Sequence, residues 1–185
     1  MIRVYIIGIC GEGSRREKEL EAEKKLLRAC LGYDARICHL DTGAPVVKAG
    51  ELVLRSISIS HSAKTAVLAI GCEGSAIGVD IEGQREQLAK VAPRFLSSEE
   101  QRIYGNSLER LAMAWTLKEA AYKAAGISGV DLRTMIDISR VDTESKIDVH
   151  GFGKPLHVYT LNIGDEVFAL VCDQSFTEVA IESIS

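Results

Sequence analysis

Between residues 108 and 125 the apolar positions recur with a helical period that no Pro or Gly interrupts. Set out at about 100° per residue, Leu111, Ala114, Trp115, Leu117, Ala121, Tyr122 and Ala125 cover more than half of the circumference. An arc that wide predicts a helix enclosed in a core rather than laid on a surface. Ala, Leu, Met, Glu, Lys and Arg dominate the segment, all strong helix formers, and Gly126 is its expected stop. Elsewhere the period shortens. Residues 3–9 alternate loosely and are β-branched, which predicts a first strand. Ser14 and Glu17 have capping-box spacing and open a helix running to about Leu31, with Gly32 beyond it. Residues 36–40 predict a short strand, and Asp41 to Pro45 a turn. Ser56 to Ser60 alternates strictly and ends at His61-Ser62, and residues 65–70 and 77–82 predict two more strands. Residues 83–94 show no clear period, hold Pro93, and read as a connection. Ser97 with Glu100 repeats the capping-box spacing, opening a helix to about Tyr104. After Gly126, residues 135–141, 145–149, 156–161 and 167–172 predict strands separated by turns.

The order helix, Gly-x-Pro turn, hairpin strands occurs twice, once around Gly43-Ala44-Pro45 and once around Gly153-Lys154-Pro155. It predicts an α+β fold of two similar halves, residues 1–94 and 95–185, in one compact unit. The net charge of −4 argues against a general nucleic-acid or membrane-surface binder, since both need a basic field. Five scattered cysteines without a CxxC pair read as small buried hydrophobes in a reducing compartment. With no run of membrane-spanning length and an apolar N-terminus too short for a signal peptide, the expectation is a cytoplasmic protein.

Asp80 and Glu82 lie two apart on a predicted strand, so both carboxylates face one side while Val79 and Ile81 face the other. Like charges so placed repel unless a cation lies between them. Mg²⁺ is the natural partner, taking few protein oxygens and keeping substrate phosphates or waters as its other ligands. Glu119 on the central helix would be a third oxygen donor, and Lys123, one turn on, would face the same phosphates as a point charge. Ser60 and His61 end a strand where hydroxyl and imidazole suit a phosphate oxygen. Plainer readings stand beside these. Asp80 and Glu82 also suit two exposed acids, and Glu119 with Lys123 an ordinary surface pair. Lys118 would snorkel from the apolar arc, His61 would be structural, and Lys24, Lys25 and Arg28 would form a solvated face.

Taken together, Ser58-Ile59-Ser60-His61-Ser62, Gly78-Val79-Asp80-Ile81-Glu82, Phe95-Leu96-Ser97-Ser98-Glu99-Glu100 and Trp115-x-x-Lys118-Glu119-x-x-x-Lys123 resemble the Sfp-type 4'-phosphopantetheinyl transferases in order and rough spacing. The resemblance runs from about Lys24 to Lys123 and more faintly to Cys172. It implies two halves related by a pseudo-twofold, with coenzyme A in the cleft between them. It also implies transfer of the phosphopantetheine arm to a serine of an acyl or peptidyl carrier protein, releasing adenosine 3',5'-bisphosphate. On that resemblance Asp80, Glu82 and Glu119 form the Mg²⁺ and pyrophosphate site. Glu119 is the base for the carrier serine, and Lys123 neutralises the pyrophosphate. Ser60 and His61 contact the region of the adenosine 3'-phosphate, and Lys24 falls where the family commonly has an arginine for the same ligand.

The chain departs from the family's Gly-Lys-Pro turn, which reads Gly43-Ala44-Pro45 here, and Lys48 or an N-terminal arginine is the candidate to replace the missing lysine. With both halves in one chain, a monomer is expected. Two other readings fit the same carboxylates: a Mg²⁺-dependent phosphoesterase, and a non-catalytic relative that binds carrier proteins.

Overall fold

The computed structural model describes residues 1–32, 34–40, 45–175 and 179–184. Its first sheet places β1 (Ile2–Gly8) between β6 (Thr65–Ile70), antiparallel to it, and the C-terminal strand β12 (Val179–Ile184), parallel to it, with β5 (Ile57–His61) beyond β6. The second sheet runs β7 (Ile77–Gly83), β11 (Glu166–Cys172), β10 (Leu156–Ile163), β9 (Lys146–Val149) and β8 (Ile136–Asp137). A small third sheet joins β2 (Arg36–His39), β3 (Pro45–Ala49) and β4 (Leu52–Leu54). Helix α1 (Arg15–Leu31) follows β1, and α2 (Glu86–Phe95), α3 (Ser98–Tyr104) and α4 (Leu108–Ala125) follow β7. The short α5 (Val141–Glu144) sits between β8 and β9.

The layering follows from which faces the strands bury. Strand β1 sends Val4 and Ile6 to one face and Tyr5 and Ile7 to the other, and β6 does the same with Val67 and Ala69 against Ala66 and Leu68. One of these faces packs on Leu26 and Leu27 of α1. The other meets Val79 and Ile81 of β7 and Phe168 and Leu170 of β11, so the two sheets lie face to face. The outer face of the second sheet, carrying Val167, Ala169 and Val171, packs on α4. The stack is α1, first sheet, second sheet, α4. Strands buried on both faces read as continuous apolar runs, as β6 and β11 do.

The mixed α+β class is as expected, and the order first strand, last strand, preceding strand recurs: β1-β6-β5 in one sheet, β7-β11-β10 in the other. The sheets do not divide at residues 94 and 95, because β7 precedes that point yet pairs in the second sheet, while β12 returns to the first. Both capping boxes are formed, by Ser14 with Glu17 and by Ser97 with Glu100. In α4, Leu111, Ala114, Leu117 and Ala121 are buried as expected, whereas Tyr122 is exposed. Two stretches differ from the sequence reading. Residues 86–95 are helical because Leu88, Ala92 and Phe95 turn one face onto the core under α4; Pro93 sits only two residues before the end. The missing side-chain cap at Arg85 hides that helix start. Of residues 135–141 only Ile136–Asp137 are strand, since the Asp137 carboxylate accepts from Ser139 N at 2.8 Å and turns the chain toward α5. The Gly43-Ala44 part of the variant turn lies outside the described residues, and Pro45 opens β3.

Candidate active site

Helix α4 lies directly on strand β7, and Gly78 is what lets it. A Cβ at residue 78 would fall 1.9 Å from the Ala120 carbonyl oxygen and 2.6 Å from Ala124 N, so only glycine admits this approach. Gly78, Asp80 and Glu82 share the face of β7 turned to the helix, opposite Val79 and Ile81. One turn beyond Ala120, Lys123 reaches down to this face. Its Nζ donates to Asp80 Oδ1 at 2.8 Å and to the Val79 carbonyl at 3.0 Å. From the first sheet, Ser60 Oγ donates to the same Asp80 Oδ1 at 2.6 Å, and Val79 N donates to Ser58 Oγ at 2.9 Å. Asp80 is only 7% exposed, and these bonds from a cation and a hydroxyl make its burial tolerable. Strand β7 is an edge of its sheet, and the serines of β5 fasten that edge to its neighbour.

Glu119 is half-buried on α4, four residues before Lys123. Burial pushes its carboxyl above the usual glutamate value, the charge of Asp80 pushes the same way, and Lys123 opposes both. Glu82 is also raised, first by burial, with Arg85 and the Gly83 N–H opposing and Asp80 adding to the rise. Its Oε2 lies 2.5 Å from Arg85 Nη2 and its Oε1 accepts from Gly83 N at 3.0 Å. Asp80 thus adds to the rise of both glutamates, second to burial for Glu119 and behind burial and Arg85 for Glu82. Among the described residues no group of three or more His, Cys, Asp and Glu side chains is arranged to hold a metal ion. The donors are nonetheless hard oxygens sharing one like-charge repulsion, the chemistry that a hard cation relieves.

Ser60 and His61 point different ways. Strand alternation turns Ser60 to Asp80, while His61 faces α1, its Nδ1 3.4 Å from Glu19 Oε1 and its Nε2 3.9 Å from Glu23 Oε1. The Nδ1 approach lacks hydrogen-bond geometry, which leaves that buried atom without a hydrogen-bond partner among the described residues. Glu19 is held by Arg15 Nε at 2.7 Å, and that bond is the main reason its carboxyl lies below the usual value. Lys24 is exposed and borders a recess of about 360 Å³ with Leu20, Leu27, Arg28, Arg36 and Ile37, apart from the Asp80 cluster. A larger recess of about 460 Å³ opens between α2 and the residues after α4, bordered by Arg85, Arg94, Phe95, Trp115 and Leu132. Arg85 joins this recess to Glu82. Neither Arg85 nor Gly78 stands out as a contact in the sequence, though glycine before Val-Asp on a buried strand was the available signal for close approach.

The Lys118 side chain does not snorkel. It is wholly enclosed, and its Nζ lies 2.7 Å from Glu100 Oε1. An ionisable residue inside an apolar arc requires such a partner, which the pattern alone leaves unnamed.

Residues 76–171, from the start of β7 to the end of β11, match the 4'-phosphopantetheinyl transferase superfamily. That is more than half of the chain, and the chain belongs to this superfamily of transferases, as the resemblance of its motifs implied. Among solved structures it is similar to the holo-[acyl-carrier-protein] synthase of Thermotoga maritima, with 23% identity over 52% of this chain and a TM-score of 0.39. The similarity spans 61% of that synthase's length. No curated protein matches it.

Proposed function

We propose that this chain transfers the 4'-phosphopantetheine arm of coenzyme A to a serine of an acyl or peptidyl carrier protein, releasing adenosine 3',5'-bisphosphate. The observation that carries this reading is the Ser60–Asp80–Lys123 cluster, two of whose members lie within the residues that match the superfamily. In this reading Asp80, Glu82 and Glu119 hold Mg²⁺, with Glu82 released from Arg85. When bound, the ion supplies positive charge to the pyrophosphate oxygens. Glu119 accepts the proton of the carrier serine, directly or through a water. The serine oxygen bonds to the phosphorus of the arm as that phosphorus parts from the bridging oxygen of the leaving nucleotide. Lys123 offsets the charge that gathers on that leaving group. Ser60, His61 and Lys24 contact the coenzyme, which lies between two halves related by a pseudo-twofold. The repeated strand order β1-β6-β5 and β7-β11-β10 supports that relation.

The test is to incubate the protein with coenzyme A, Mg²⁺ and an apo carrier protein and weigh the carrier. A phosphopantetheine gain that EDTA abolishes and Mg²⁺ restores is the expected result. Hydrolysis of a phosphate ester without any gain would select a phosphoesterase. Carrier binding with no change in mass would select a non-catalytic relative.

A further inference from the structure

Lys118 lies one residue before Glu119, and its side chain is 0% exposed. The ammonium is paired with both Glu100 oxygens, at 2.7 Å and 2.9 Å. It also donates to the Leu132 carbonyl at 2.8 Å and to the Ile136 carbonyl. Glu100 in turn closes the α3 capping box by accepting from Ser97 N at 2.8 Å and accepts from Ile138 N at 3.0 Å. One ion pair thus ties α4 to the start of α3 and to residues 132–138.

A buried pair of this kind is a weak source of stability, because desolvation offsets most of its attraction and an apolar pair of equal volume serves as well. Its directional bonds do something an apolar pair does not. Five of the nine buried residues of α4 are alanines, namely Ala112, Ala114, Ala120, Ala121 and Ala124. Where the helix meets Gly78 it presents Ala120 and Ala124, small residues that allow close approach but supply no knob to fix its position along the strand. We infer that Lys118 is a positioning residue: paired with Glu100, it fixes where α4 sits along β7, and so where Glu119 and Lys123 meet Asp80. The functional half of this inference rests on the transferase reading of Glu119.

Lys118→Met alone leaves Glu100 charged and buried and is expected to unfold the protein in part. The informative variant is Lys118→Met with Glu100→Gln. It carries no buried charge and keeps one acceptor oxygen, for either Ser97 N or Ile138 N, which use different oxygens of the Glu100 carboxylate. This variant should stay folded by circular dichroism, and its crystal structure should show α4 displaced along β7 with the Lys123–Asp80 contact lengthened. Carrier modification should fall by about 10²-fold in kcat, the scale of a misplacement near 1 Å, with a much smaller rise in the KM for coenzyme A. If the double variant keeps α4 in place, the inference is overturned, whatever the rate. If the wild-type protein modifies no carrier, the transferase reading fails, and the helix position in the variant still decides the positioning role.

Discussion

Asp80 holds its charge almost wholly out of water, and two elements share the work of making that possible: α4 through Lys123 and β5 through Ser60. Removing Lys123 as alanine leaves the carboxylate with the serine alone, which should cost about 1–3 kcal/mol of stability and lower both coenzyme binding and turnover. Chemical denaturation beside calorimetric binding measures the two effects. Glu119 behaves differently. Its carboxyl is raised by burial and by Asp80, so its ionised form is the disfavoured one in the folded protein. A carboxyl raised on folding contributes stability below its unfolded pKa and loses that contribution as pH rises through its folded value. Glu119→Gln should therefore melt higher than the wild type at neutral pH, and the difference should vanish in acid. The same substitution should lower kcat by about 10²-fold or more, the scale of a lost general base. Coenzyme binding, held at Lys24, Ser60 and His61 in the proposed reading, should change far less. Normal turnover by Glu119→Gln would leave Glu119 a structural residue of α4.

Strand β7 and helix α4 form the element pair on which the site depends, and Gly78 sets their spacing. Gly78→Ala puts a methyl group where the Ala120 carbonyl and Ala124 N already stand, both backbone atoms that no rotamer change can clear. Overpacking of this kind costs about 1–3 kcal/mol, and lifting the helix takes Lys123 away from Asp80. The variant should melt lower and lose carrier modification together; wild-type activity would show that the close approach is dispensable. Much of this pairing was legible beforehand. The wide apolar arc announced an enclosed α4, the capping-box spacings located α1 and α3, and two-residue alternation put Asp80 and Glu82 on one side of β7. Two things resisted. Helix α2 begins without a side-chain cap and carries Pro93, so its local signals argue against the burial of Leu88, Ala92 and Phe95 that forms it. The partners of side chains are set by tertiary packing. The turn of His61 toward Glu19 and Glu23 and the closure of Glu100 on Lys118 join residues whose elements meet only after folding. Alternation along β5 did contain one clue, since adjacent residues of a strand point to opposite sides, and Ser60 and His61 do.

At the scale of the whole molecule, the faces the two sheets turn to each other are closed within one chain. Val4, Ile6, Val67 and Ala69 of the first sheet meet Val79, Ile81, Phe168 and Leu170 of the second, all buried. Strand β12, last in the chain, returns to pair in parallel with β1 and so ties the C-terminal residues to the first sheet. Helices α1 and α4 cover the outer faces, and among the described residues no helix is long and apolar enough to cross a membrane. Asp80 and Lys123 come from the second sheet and its helix, and Ser60 reaches them from the first, so the cluster needs no side chain from another copy. A unit that encloses its own core and assembles its own cluster is expected to work as a monomer. Sedimentation at micromolar concentration should give a single species of one-chain mass, and carrier modification per molecule should be constant on dilution. Loss of specific activity on dilution, in step with dissociation of a trimer, would mean that a neighbouring copy completes the site and that the two halves of this chain do not.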